Sequence, residues 1–287
     1  KNVLYQSPEP RVSIRYLINE NSSLKFSYAT MQQNIHLLTN SSFGLPNDMW
    51  VPSTETVPPQ KSQQIVFGYH RFFSDNQKLE TQSYETSIEL YYKKMGNLIT
   101  FAEGTNILGT NFSSWENRIE ENGSGTSQGV EMFIKKKSGK LTGWIGYTLS
   151  KTDRQFENIN LGNEYPYKFD RRHDLSIVSS YNLKKGVHLN ATFVYGTGNA
   201  VTLPIAQYLL FTGNDFVQFF DYGEKNDFRM APYHRLDIGC SFTKEKKWGE
   251  RTWSVSIYNI YNRKNPFFIY LQEEGQENGN LEYSTYQ

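Results

Sequence analysis

Residues 165–174 read YPYKFDRRHD and place Asp170, Arg171, Arg172, His173 and Asp174 behind three aromatic rings. A histidine beside carboxylates is the raw material of general acid–base catalysis or of a metal centre. Both chemistries need further groups at set spacing, and no second His or Cys stands near enough in the sequence to act as a ligand. His36, His70, His188 and His234 fall in separate segments, where isolated polar groups on strands account for them better than a metal site does. The single cysteine, Cys240, excludes an internal disulfide framework and a multi-cysteine metal site. No Ser/His/Asp set or carboxylate pair converges, so neither an enzyme nor a bound cofactor is expected.

The stretch has a partial echo. Arg172 and Asp174 stand two apart, as do Arg235 and Asp237. On a strand, two-residue spacing puts such a pair on one face. Leu175 and Ile177, like Leu236 and Ile238, then occupy the other. This pattern predicts a structural ladder of Arg172, Asp174, Arg235 and Asp237, with each guanidinium fork paired to carboxylates on neighbouring strands.

The elements that would carry these residues are strands. Apolar and polar residues alternate through 12–18, 24–30, 130–134, 141–150, 174–181, 187–195, 234–242 and 253–257, while helical periodicity is hard to find. The chain is 15% aromatic, with 20 Tyr, 19 Phe and 5 Trp. Its mean hydropathy is nevertheless polar, at −0.64. With a net charge of +1, the chain lacks the excess of Lys and Arg that neutralises phosphates, so no nucleic-acid partner is expected. No run of about eighteen apolar residues is present to make a transmembrane helix.

Connections alternate as well. Short polar turns fall near 19–23, 74–77, 137–140, 182–187 and 244–251, and longer irregular stretches near 39–60, 102–126, 154–170 and 199–230, with another from 263 onward. The Gly-rich stretch ENGSGTSQG (121–129) reads as a loop leading into a strand. A transmembrane barrel produces this rhythm, because every second turn faces the periplasm and is short while the others face outside and are long. An apolar outer face, a polar inner face and aromatic boundary rings also reconcile high aromatic content with polar hydropathy. The expectation is an all-β, transmembrane antiparallel barrel with about ten strands. No returning strand follows the last outward one, and an open edge in hydrocarbon is costly. Residues 1–287 are therefore expected to form an open portion of a larger barrel, with the Arg/Asp ladder turned to the lumen. External-loop rings that could touch a ligand are Trp50, Trp115, Tyr165, Tyr167, Phe211, Phe219 and Phe220, against the alternative that they belong to the interfacial girdle.

Five segments, taken in order, resemble the C-terminal barrel half of TonB-dependent outer-membrane receptors: GLPNDMWVPS (44–53), PPQKSQQIVFGY (58–69), GWIGYTLSKTDRQFENIN (143–160), YPYKFDRRHDLSIV (165–178) and VSIYNIYNRKNPFFIY (255–270). The resemblance implies a 22-stranded barrel in the bacterial outer membrane, a plug domain inside it that offers the ladder arginines carboxylates as an alternative to those of neighbouring strands, and uptake of a scarce or bulky ligand driven through TonB. Siderophore, cobalamin, peptide and oligosaccharide all fit. The implied partners are outer-membrane lipid, the remaining barrel and plug, the TonB energy complex, and barrel-assembly machinery or a surface lipoprotein lid. The chain departs from the family pattern in showing no plug, no TonB-contacting segment and no final strand ending in an aromatic residue. A passive porin, a barrel protease or lipase, and a soluble glycan-binding β-domain are the competing classes.

Overall fold

The computed structural model describes residues 3–39, 48–75, 82–103, 115–213, 216–271 and 283–286. In chain order, β1 (Arg11–Asn19) and β2 (Ser22–Gln33) form a hairpin, followed by a small hairpin of β3 (Ile35–Thr39) and β4 (Asp48–Pro52). The long strands β5 (Gln60–Asp75), β6 (Gln82–Phe101), β7 (Ile119–Lys136) and β8 (Leu141–Gln155) come next, then the short β9 (Tyr165–Pro166). After β10 (His173–Lys184) and β11 (Val187–Gly196) comes an inserted group of β12 (Ala200–Val201), β13 (Pro204–Phe211), β14 (Phe216–Tyr222) and β15 (Phe228–Arg229). The chain continues through β16 (Tyr233–Lys246), β17 (Gly249–Ile257), β18 (Phe268–Leu271) and β19 (Tyr283–Tyr286).

Ten strands form one antiparallel wall in the order β1-β2-β5-β6-β7-β8-β10-β11-β16-β17, with β9 added to β8. Its register explains the alternation in the sequence. One rung runs Phe26, Phe67, Leu90, Val130, Leu149. Further along, Ile145, Ile177, Phe193 and Leu236 lie side by side. The face carrying them is apolar from edge to edge, and its side chains have no protein cover: Ile14, Ile65, Ile134 and Ile257 are 45–59% exposed. The other face runs through Gly68, Glu89, Glu131, Thr148 and Asp174, and is polar. A sheet that is apolar on one side and polar on the other, with no core packed on the apolar side, suits a lipid boundary.

Turns and loops separate by end. Asn19–Ser22, Lys184–Val187 and Lys246–Gly249 close tight hairpins at one end. So does the turn between β7 and β8. The predicted turn at 74–77 lies partly outside the described residues. The small hairpins and 3-10 turns among the described residues stand at the opposite end. There β6 and β7, of 20 and 18 residues, run well past the 9–11 residues that a tilted strand needs to cross hydrocarbon.

One expected loop is strand instead. Residues 121–129 lie within β7, paired to both β6 and β8. Their glycines are there for close approach: a Cβ on Gly123 would stand 2.3 Å from the Phe156 ring, and one on Gly129 would stand 2.8 Å from the Tyr91 ring. The small residues that resemble a flexible loop make room for rings laid on the inner face of the wall.

Candidate functional site at the long-loop end

Among the described residues, two small apolar clusters hold long loops to the wall through β6, and a third joins loops to one another. Leu38, Val51, Val57 and Ile99 form the first, and Phe101, Trp115 and Ile119 pack on it. Leu98, Phe156, Ile159 and Tyr165 form the second. Val201, Leu203, Met230 and Ile269 form the third.

Between these clusters lies a buried polar network centred on the stretch 165–170. Asp170, 1% exposed, accepts from the Thr152 amide at 2.7 Å and from Arg229 Nη2 at 2.6 Å. Arg229 Nη1 also donates to the Asp170 and Gly198 carbonyls. Lys168, also buried, donates to Asp48 Oδ1 at 2.9 Å. The Arg154 guanidinium lies 3.7 Å from the centroid of the Tyr167 ring. Asn226, in the left-handed conformation at φ 60°, donates from its side-chain Nδ2 to the Pro166 carbonyl at 2.8 Å and from its backbone N–H to Thr202 Oγ1 at 3.0 Å. One patch thus joins the β3–β4 hairpin, the end of β8, the loop before β10 and the insertion between β11 and β16.

Lys225 ties in a further loop. Its Nζ donates to Thr100 Oγ1 at 3.1 Å and to the Phe101 carbonyl at 3.3 Å, and sits 5.8 Å from the Tyr165 ring centroid. Its backbone amide donates to Asn160 Oδ1 at 2.8 Å. Burial pushes its pKa down to about 8, opposed by the carboxylates of Glu103 and Glu120 and aided by the Arg154 charge. The Tyr165 phenol is pushed up to about 12 by the same burial.

A lysine with a lower pKa in the closed loop than in a free chain binds its proton less readily when the loop is closed. Closure therefore gains stability as pH rises from about 8 towards 10.5, and this group contributes no further change below about 8, where both states are protonated. Amide exchange of residues 223–230, corrected for intrinsic rates, should slow by about tenfold or more across that window. Lys225→Met should remove the dependence; a pH profile unchanged by the substitution would place the titration elsewhere.

The expected ligand rings divide. Tyr165 is buried and Trp115 packs on an apolar cluster, so both belong to the loop core. Tyr167 is held between Arg154 and Phe169. Trp50, Phe211 and Phe219 are 62%, 63% and 48% exposed, and Phe220 is half-buried. Phe211 and Phe219 stand on the β13–β14 hairpin, where Ile205, Tyr208, Leu209, Leu210 and Phe216 are exposed as well.

The Arg/Asp pairs are arranged along strands more than across them. Arg235 Nε donates to Asp237 Oδ2 on its own strand at 2.9 Å, and Nη1 donates to the Tyr233 and Tyr258 hydroxyls. Asp237 Oδ1 accepts from the Asn259 amide at 2.8 Å. Arg171, rather than Arg172, approaches Asp174, at 3.5 Å; Arg172 contributes its carbonyl to the Ser150 amide. Residues two apart on one face are separated by about 6.6 Å, which an arginine spans easily. His173 points to the opposite face from Asp174 and bonds the Tyr147 hydroxyl at 2.8 Å. Its ring is therefore turned away from that carboxylate, and among the described residues no group of three or more His, Cys, Asp or Glu gathers to hold a metal.

The residues that sequence reasoning missed are Asp48, Lys225, Asn226 and Arg229. For the last three the one local signal is GEKNDFRM (223–230), a charged segment with an Asn suited to a left-handed turn, inside what reads as a plain long loop.

A continuous apolar face, short turns at one end and interlocked long loops at the other define a transmembrane barrel wall. The chain belongs to the TonB dependent receptor-like β-barrel family, whose model matches residues 5–262. No curated protein matches it. Among solved structures it is similar to the ferripyoverdine receptor of the outer membrane of Pseudomonas aeruginosa bound to ferripyoverdine, at 15% identity and a TM-score of 0.55, over 96% of this chain and 31% of that one. It is also similar to a chain of the FpvAI–pyocin S2 complex, at 14% identity and a TM-score of 0.55, over 90% and 30%. The chain spans about three tenths of the length of these structures.

Proposed function

We propose that this chain is part of the wall of a bacterial outer-membrane receptor that takes up a scarce or bulky ligand by TonB-driven transport, with a plug domain and further strands completing the barrel. The observation that carries this reading is the segregation of loops: the described parts of the long connections lie at one end and are bonded to one another through Asp170, Lys168 and Lys225, and the aromatic hairpin β13–β14 belongs to the same group. A pore that only passes small solutes has no need of such a group. Short turns then face the periplasm and the bonded loops face outside. The exposed rings Trp50, Phe211 and Phe219 are the proposed contact for an apolar or ring-bearing part of the ligand, while Arg172, Asp174, Arg235 and Asp237 line the lumen as structural groups.

Uptake of labelled ferric siderophores, cobalamin, peptides and oligosaccharides by cells producing the full-length receptor tests this. One of them should accumulate only when the TonB complex is active. Phe211→Ser with Phe219→Ser should weaken its binding about tenfold or more, the loss of two rings that the ligand covers in part costing roughly 1.5–3 kcal/mol together. Equal accumulation with and without TonB would point to a passive pore and overturn the proposal.

A further inference from the structure

From β7 to β17 the outer face at the short-turn end has one charge sign, whereas the outward register position at the end of β5 is Asp75. Following the outward-facing positions down the wall, β7 passes from Ile134 to Lys136, β16 from Phe242 to Lys244 and Lys246, and β17 from Trp253 to Arg251. At the end of β10 the register shifts after Asn182, and Lys184 pairs with Val187, whose β16 neighbour is the outward Phe242. Lys184, Lys244, Lys246 and Arg251 are exposed. Lys136 lies 5.7 Å from the Tyr84 ring, which shares its face. From the level of Leu149 to the turns, no described residue at an outward position of β7, β8, β10, β11, β16 or β17 is Asp or Glu.

The polar face at the same height is different. There Lys137 pairs with Glu85 at 2.8 Å, and Glu245 lies opposite Glu250. Acid and base are therefore mixed inside, whereas at the outward positions of β7 to β17 the charged residues are all cations. The outward cations also follow directly on a row of rings and apolar groups, Tyr181, Phe242 and Trp253, 40%, 48% and 65% exposed. Two residues along a strand, about 6.6 Å, separate the ring row from the cation row. Rings of this kind mark the boundary between acyl chains and headgroups, and long cationic side chains beyond them reach into the headgroup layer.

We propose that this row is a belt that binds the phosphate groups of anionic phospholipid in the adjoining leaflet. The proposal rests on the membrane-wall reading given above. The ligand is a phosphate carried on acyl chains rather than a free anion, because the cations are spread along a line that borders exposed apolar side chains and are not gathered into a closed pocket. Each cation near an anionic surface favours it by roughly fivefold, so several in a row produce a clear selection of lipid.

The test uses the full-length receptor reconstituted in nanodiscs of equimolar phosphatidylglycerol and phosphatidylcholine, followed by native mass spectrometry of the lipids it retains. Phosphatidylglycerol should be retained in preference, by about tenfold. A variant with Lys136→Gln, Lys184→Gln, Lys244→Gln and Arg251→Gln should lose the preference while keeping its heat-modifiable gel mobility. A control with Lys93→Gln and Lys135→Gln, both on the polar face, should keep it. Equal retention of the two lipids by inserted wild-type receptor would overturn the belt, as would displacement of the lipid by inorganic phosphate alone, which would mark a free-anion site. Failure of the receptor to enter the bilayer at all would instead remove the membrane-wall reading.

Discussion

Replacing Arg229 by Met will release the insertion between β11 and β16 from the long-loop end while leaving the ten-stranded wall intact. Asp170 is 1% exposed, and its carboxylate has two partners, the Arg229 guanidinium and the Thr152 amide. Without the guanidinium a buried negative charge is left with one amide donor, a change that typically costs about 3–5 kcal/mol. The same substitution removes the bonds that Arg229 makes to the Asp170 and Gly198 carbonyls. The cost falls on the loops, because Asp170, Gly198 and Arg229 all lie outside the wall strands, and the Thr152 amide at the end of β8 keeps its bond to Asp170. Amide exchange at residues 197–205 and 223–232 should therefore accelerate by about a hundredfold or more, while β7 and β8 keep their protection. Asp170→Asn should be milder, since it removes the charge but keeps an oxygen for the Thr152 amide. Combined with Arg229→Met it should cost less than the two changes added together, because the second removes what the first left unpaired. Unchanged exchange in the insertion after Arg229→Met would mean that the loops are held by their apolar clusters alone.

Contacts of this kind explain which parts of the molecule were legible in the sequence. The wall was legible because its determinants are local. Alternation assigns each residue to a face, and a short turn makes neighbours of consecutive strands, so about ten strands and their facing follow from the chain read in order. The loop end was not legible, because its bonds join distant residues: Lys168 and Asp48 are 120 apart, and Lys225 and Thr100 are 125 apart. Tyr165 reads as a boundary ring because nothing nearby in sequence announces Leu98, Phe156 and Ile159, which close over it. Gly123 and Gly129 mislead for the same reason: a glycine beneath a ring from a distant part of the chain looks, in one dimension, like a glycine in a loop. In YPYKFDRRHD the contrast falls within ten residues. The facing of Asp174 and of Leu175 could be read directly, whereas the burial of Lys168 and Asp170 depends on two distant partners, Asp48 and Arg229.

The facing itself carries the other large effect. Ile177 lies midway along β10 on the apolar face, between Ile145 of β8 and Phe193 of β11. Ser176, one residue earlier, faces the polar side between Gly146 and Val194. In water the two positions would tolerate a cation about equally well, since neither packs in a core. In a bilayer they differ: an arginine at the midplane on the lipid face costs about 2–4 kcal/mol, and a lumenal one can reach water. Reversible urea unfolding of the full-length receptor in lipid vesicles should therefore show Ile177→Arg destabilised by about 2–4 kcal/mol and Ser176→Arg by less than about 1 kcal/mol. The order of the pair decides more than either value. If Ser176→Arg proved the more damaging, the polar face would be the one against lipid; if neither mattered, no lipid would cover the wall. The expected order also bears on the cationic belt, because the outward row that ends at Lys136, Lys184, Lys244 and Arg251 is the same face on which Ile177 stands, and a belt at its lower margin can meet headgroups only if its centre meets acyl chains.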